Sequence, residues 1–191
     1  MIQIGEKLPD ATLFEFVEDA RAGCTLGPNS FDVREQTAGK RVVIFGLPGA
    51  FTPTCSAKHV PGYVEHAEQL RALGVDEIWC VSVNDAFVMG AWGRDQRASG
   101  KVRMMADGSA LFTRALGLEQ DLSARGMGIR SQRYAMVVDD GVVKTLNVEA
   151  AGKFEVSDAE SILATLSWLR LRSKPLPRVR ALTALYQGNG I

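Results

Sequence analysis

Cys55 closes an eight-residue stretch, Pro48-Gly49-Ala50-Phe51-Thr52-Pro53-Thr54-Cys55, that carries most of the chemistry legible in this chain. The apolar run before it, Val42-Val43-Ile44-Phe45-Gly46-Leu47, reads as a buried strand, and Ser56 to Leu73 reads mostly as helix. A cysteine at that junction falls in the first turn of a helix, where unpaired backbone N–H groups and the helix dipole favour an anion. An ordinary thiol with a pKa of about 8.5 is only about 3% thiolate at neutral pH, and a helix N-terminus or a nearby cation lowers that pKa by several units. The stretch supplies a candidate nucleophile and the place to ionise it.

Disulfide exchange of the Cys-x-x-Cys kind needs a second cysteine three residues away, and Thr52 and Lys58 occupy those positions. A single thiolate beside a hydroxyl donor suits another reaction, attack on an electrophilic oxygen. The thiolate displaces water or an alcohol from a peroxide and becomes a sulfenic acid. Such a site needs a cation at the sulfur, donors that polarise the O–O bond, and walls that limit water. His59 lies four residues after Cys55 and would share its face on an unbroken helix, so a Cys–His nucleophile–base pair competes with a packing or hydrogen-bonding role for His59. Glu65 and His66 read as a solvated helical face. Cys80 sits within a strand and reads as structural, and Cys24 lies in the Gly-rich connection Ala22-Gly23-Cys24-Thr25-Leu26-Gly27. Trp79, Trp92 and Trp168 carry no signal beyond packing.

The elements that would position these residues follow from local pattern. Strands are expected over Thr12 to Phe16, Arg41 to Leu47 and Glu77 to Val83, with a shorter one over Val102 to Ala106. Pro61-Gly62 predicts a kink or break in the helix that starts near Cys55. Asn84-Asp85 caps a helix from Ala86 to about Ala98, and Ala110 to Leu116 is a short helix. Tyr134 to Val138 and Val142 to Leu146 flank Asp139-Asp140-Gly141, a strong β-hairpin signal. Ser157-Asp158-Ala159-Glu160 fits a capping box opening a helix to about Arg172. This order of elements predicts an α/β fold, a central mixed sheet with helices on both faces. Residues 1–172 form the expected domain, and 173–191 a tail that starts with the linker Ser173-Lys174-Pro175-Leu176-Pro177. The tail has a basic character and the makings of a short final helix through Val179, Leu182, Leu185 and Tyr186. It reads as docked on the body or on a symmetry mate, with a basic surface for an acidic partner as the alternative.

Composition narrows the setting. Of 191 residues, 22 are basic and 22 acidic, so charge gives no argument for nucleic acid or an acidic membrane surface. No apolar stretch approaches the length of a membrane span, and the N-terminus lacks the pattern of a signal peptide. Three cysteines, an odd number with no close pair, argue for a reducing compartment, with the cytoplasm as the expectation. Two histidines are too few for a convincing His-rich metal site, and no cofactor is implied.

Taken together, Pro48-x-x-x-Thr52-x-x-Cys55 resembles the active-site signature of the peroxiredoxins. The wider context, Gly46 to Ser56 with His59-Val60-Pro61-Gly62-Tyr63, is similar to the type II, peroxiredoxin-five-like branch of the thioredoxin-like superfamily. The likeness continues through Val81 to Met89 and Arg133 to Gly141, covering roughly residues 1 to 170 in order. It implies a thioredoxin-like fold with an N-terminal strand extension. It also implies that Cys55 is the peroxidatic cysteine, that the Thr52 hydroxyl contacts peroxide, and that Pro48 shields the pocket. Arg133, just before the Tyr134 strand, matches the arginine that stabilises thiolate and substrate, with Arg130 as its competitor. The segments holding Phe51, Phe87 and Met89 would border the active site and a homodimer contact, or simply fill the core. Some type II relatives carry a second cysteine in the segment matching Ala150 to Ser157; this chain has none there. The expected reductant is therefore an external thiol, glutathione with glutaredoxin, or thioredoxin. A redox sensor switched by Cys55 oxidation and a Cys–His acyl hydrolase are the alternatives.

Overall fold

The computed structural model describes residues 1–17 and 26–173. Cys24 and the tail from 174 onward lie outside the described residues, and so does the expected final helix. The strands are β1 (Thr12–Val17), β2 (Gly27–Asp32), β3 (Arg41–Leu47), β4 (Glu77–Ser82), β5 (Arg103–Ala106), β6 (Glu119–Asp121), β7 (Ile129–Ser131), β8 (Tyr134–Asp139) and β9 (Val142–Val148). Helices are α1 (Val33–Thr37), α2 (Val60–Ala72), α3 (Ala86–Asp95), α4 (Leu111–Ala115) and α5 (Ala159–Ser173), with a π-helical turn over Cys55–His59 feeding α2.

Seven strands form one sheet in the order β2-β1-β5-β4-β3-β8-β9, and β6 pairs with β7 apart from it. The centre is parallel, β3 with β4 and β4 with β5, and the flanks are antiparallel. Both faces of the centre are covered, which is why β3 reads as a continuous apolar run rather than an alternation. Val43, Phe45 and Leu47 join Cys80, Val137 and residues of α2, α3 and α5 in one core cluster. Val42 and Ile44 point the other way, to Trp79, Met136, Val33 of α1 and Phe112 of α4. The mixed sheet with helices on both faces is as expected.

Several details differ from the sequence expectations. The strand β2, Gly-Pro-Asn-Ser-Phe-Asp, has the composition of a loop; it pairs only with β1 at the sheet edge, where Pro28 need not donate to a neighbour. The expected hairpin is present, and its Asp140-Gly141 turn is tight because both residues hold positive φ, 49° and 72°, the requirement of a two-residue type I′ hairpin. The break expected at Pro61-Gly62 is displaced toward the N-terminus. The chain is helical through Pro61, and the irregularity is the wide turn before it, closed by the Val60 N–H on the Cys55 carbonyl. Pro61 has no N–H to continue the helical ladder, and the widened turn lies directly before it. The α5 cap is Asp158 rather than Ser157: Asp158 accepts from the Ser161 backbone N–H at 2.8 Å. Ser157 is committed elsewhere, to Glu149.

Candidate active site

The parallel strand β3 ends at Leu47, and the chain turns sharply over Pro48 to Thr52 before helix begins at Pro53. The turn is held from inside and outside. Within it, the Thr52 hydroxyl donates to the Gly49 carbonyl at 2.9 Å, and Phe51 holds a positive φ of 60°. From outside, the Asn84 side-chain oxygen accepts the Ala50 N–H at 3.0 Å and the Ser82 hydroxyl at 2.8 Å. The Ser56 N–H donates to the Thr52 carbonyl at 3.0 Å, so the N–H groups of Thr54 and Cys55 fall in a first turn without intrahelical acceptors. The expected placement of Cys55 at a helix start is what the structure shows. Its side chain is fully buried, in the same core cluster as Cys80.

Arg133 comes from a distant part of the chain but from the neighbouring strand, just before β8. Antiparallel pairing of β3 with β8 sets Gly46 opposite Tyr134, which brings Arg133 beside the end of β3. Gly46 is required there, because a Cβ would overlap the Tyr134 ring. The Arg133 Nη2 donates to the Cys55 sulfur at 3.3 Å, and Nη1 lies 2.9 Å from His59 Nδ1. Its guanidinium also stands 5.5 Å from the centre of the Phe154 ring. Arg130, the competing arginine, bonds backbone carbonyls instead, Met127 at 2.8 Å and Val83 at 3.3 Å, and braces the turn beside Gly49.

His59 is fully buried, and burial together with the Arg133 charge lowers its pKa to about 3. The ring is neutral at physiological pH. Its Nε2 faces the Ser157 carbonyl at 3.0 Å, an oxygen that can only accept, so Nε2 carries the hydrogen and Nδ1 is the bare acceptor for Arg133. The Tyr63 hydroxyl donates to the same carbonyl at 2.9 Å. His59 therefore grips the arginine and not the sulfur, contrary to a Cys–His nucleophile–base pair.

Cys80 sits mid-strand in β4, between Phe45 of β3 and Met104 of β5. Burial pushes its thiol well above the ordinary range, and the Cys55 charge adds to the effect. Pro48 and Thr52 are half-buried around the turn, Glu65 is exposed and His66 is half-buried. Trp79 and Trp92 are core residues. Among the described residues no group of three or more His, Cys, Asp or Glu side chains could hold a metal ion, and no helix is long and apolar enough to cross a membrane. Sequence reasoning missed Asn84 as the brace of the turn, reading it only as part of a cap. It also missed Glu149 and Phe154, and it read Ser157 only as part of a helix cap. A carboxylate facing three consecutive backbone N–H groups has no signature in linear sequence.

Comparison with known proteins agrees with this geometry. The Redoxin family model matches residues 3–163. The chain is 48% identical over 165 residues to Peroxiredoxin-2B of Arabidopsis thaliana, covering 86% of this chain and 98% of that one. Among solved structures, reduced Prx3 in complex with H2O2 from Vibrio vulnificus is 56% identical with a TM-score of 0.80, covering 87% of this chain and 99% of its own. A Burkholderia cenocepacia protein described as a thioredoxin reductase is 82% identical with a TM-score of 0.86, covering 86% of this chain and 98% of its own. The name of that relative does not fit the residues here, since this chain has no Cys-x-x-Cys pair. The chain belongs to the Redoxin family and, within it, to the type II peroxiredoxins, thiol-dependent peroxidases of thioredoxin-like fold.

Proposed function

We propose that Cys55 is the peroxidatic residue and that the protein reduces hydrogen peroxide and small organic hydroperoxides. The observation that carries this reading is the Arg133 Nη2 at 3.3 Å from the Cys55 sulfur, at the start of a helix and out of bulk water. The thiolate attacks one peroxide oxygen, an S–O bond forms, and the O–O bond breaks. Sulfur loses two electrons, and the departing oxygen leaves as hydroxide or alkoxide and takes a proton to become water or alcohol. Arg133 stabilises the thiolate and the developing charge, the Thr52 hydroxyl orients the peroxide, and Pro48 shields the pocket.

An external thiol then attacks the sulfenic sulfur, water leaves, and a second thiol resolves the mixed disulfide. Two features support this one-cysteine cycle: residues 150–157 contain no cysteine, and Cys80 is locked within the sheet. Glutathione with glutaredoxin is the favoured donor, with thioredoxin as the competitor. The exposed Phe51 side chain of the turn and Phe87 of α3, 56% and 63% exposed, support a homodimer contact through these segments. The reading places the protein in the cytoplasm, with 1–172 as the catalytic domain. An acyl hydrolase is disfavoured because neutral His59 spends its one bare nitrogen on Arg133.

Steady-state peroxide consumption with defined donors tests the proposal. Turnover with a glutathione–glutaredoxin or thioredoxin system is expected for the wild type and none for Cys55→Ser. A stable Cys55–Cys80 disulfide after one equivalent of peroxide, seen by peptide mass mapping, would overturn the one-cysteine cycle.

A further inference from the structure

While one nitrogen of Arg133 donates to the Cys55 sulfur, the other meets the bare Nδ1 of His59, whose Nε2–H is held by the Ser157 carbonyl. What holds Ser157 is a single carboxylate oxygen. Glu149 Oε1 accepts from three consecutive backbone N–H groups, Glu155 at 2.8 Å, Val156 at 2.8 Å and Ser157 at 2.9 Å, and from the Ser157 hydroxyl at 2.8 Å. The same loop carries Phe154, whose ring lies over the Arg133 guanidinium and stands edge-on to His59 at 5.0 Å. The Glu149 backbone closes the circuit, its N–H donating to the Arg133 carbonyl at 2.9 Å. One residue thus ties both ends of Arg133, the backbone directly and the guanidinium through Ser157 and His59.

We propose that Glu149 is a positioning residue for the thiolate site: its carboxylate gathers the 154–157 loop so that Ser157 fixes the His59 tautomer and His59 fixes Arg133 against the Cys55 sulfur. The inference rests on the reading of Cys55 as the reactive thiol. Four hydrogen bonds to an ionised acceptor are stronger than four to an amide. Burial by itself would raise the Glu149 pKa; the bonds from Val156, Glu155 and Ser157 outweigh it and hold the carboxyl below its ordinary value. The group therefore stays charged throughout the neutral range, as a fixed anchor.

The sign of one effect separates positioning from plain electrostatics. Through space, removing the Glu149 charge favours the Cys55 anion and moves the pH midpoint of Cys55 alkylation downward. Loss of positioning lets Arg133 drift from the sulfur and moves that midpoint upward. The experiment is iodoacetamide alkylation of Cys55 against pH in Glu149→Gln, with Glu160→Gln as a control for loss of one surface carboxylate. The expected result is an upward midpoint in Glu149→Gln, oxidation by hydrogen peroxide about tenfold slower, and an unchanged profile in Glu160→Gln. A midpoint unchanged or lowered in folded Glu149→Gln overturns the proposal. Nitrogen-15 NMR of the wild-type His59 ring is a second measurement that needs no variant: hydrogen on Nε2 supports the chain of bonds, and hydrogen on Nδ1 overturns it. Alkylation and NMR do not involve peroxide, so a wild type that fails to consume peroxide removes the peroxidase reading while these measurements still judge Glu149.

Discussion

Cys55 and Cys80 are both fully buried and belong to one core cluster, yet they sit in opposite chemical situations. Cys80 lies in the middle of β4, flanked by hydrogen-bonded strands on both sides, where burial pushes its thiol up and keeps it protonated. Cys55 lies where a strand has ended and a helix is opening, with the Arg133 guanidinium on its sulfur. The comparison teaches that burial alone makes a cysteine inert. Reactivity comes from breaking the secondary structure at the right place, so that backbone donors are left without partners and a cation can approach. A strand centre offers neither, because its N–H groups are already spent on neighbouring strands.

The largest expected effect comes from removing what Cys55 has and Cys80 lacks. Arg133→Met keeps much of the side-chain volume and deletes the charge and both donors. Stopped-flow measurement of Cys55 oxidation should show a loss of about 10²–10³-fold in the second-order rate with peroxide. A rate within threefold of wild type would erase the distinction drawn between the two cysteines.

A smaller effect concerns His59, and it is read as stability against pH. The ordinary value is 6.5, and burial beside Arg133 takes it to about 3. Between those values the unfolded chain binds a proton that the folded chain refuses. Stability is therefore unaffected above pH 6.5 and falls as the pH drops through the window, by at most about 1.4 kcal/mol per pH unit. Denaturant unfolding between pH 6.5 and 4.5 isolates this effect from Glu149, whose lowered pKa makes its own contribution only below its ordinary 4.5. His59→Gln should flatten that part of the profile. An equal slope in the variant would mean that His59 is not the group refusing the proton.

Cys80→Ser should change least. The peroxide rate stays within about twofold of wild type, while calorimetry shows a stability loss of about 1–3 kcal/mol, because a hydroxyl is less welcome than a thiol in an apolar strand. A large drop in turnover with no loss of stability would bring Cys80 into the cycle and undo the contrast.

Much of the frame was legible because it depends on local chemistry. Asp140-Gly141 announces a tight hairpin through the backbone angles it permits, and the unbroken apolar run of β3 announces a strand covered on both faces. The edge strand β2 was invisible because its residues are turn formers, and only pairing with β1 makes it a strand. Ser157 looked like a helix cap for the same reason. Its local pattern fits, but its N–H and hydroxyl are claimed by a residue eight positions earlier. Arg133 was separable from Arg130 by resemblance alone; strand register is what sends one to the sulfur and the other to carbonyls.

By itself the sequence singled out a candidate nucleophile and the kind of chemistry that suits it: a lone cysteine at a strand-to-helix junction, a hydroxyl three residues before it, and no second cysteine at disulfide-exchange spacing. These are short-range facts, fixed by covalent neighbours and by the geometry of a helix start. The tertiary structure alone decided what holds the arginine in place. Arg133 is 78 positions from Cys55 and 74 from His59, and His59 is 98 from Ser157. Bonds across such separations exist only once β3, β8 and β9 are in register, and no residue type announces its register in advance.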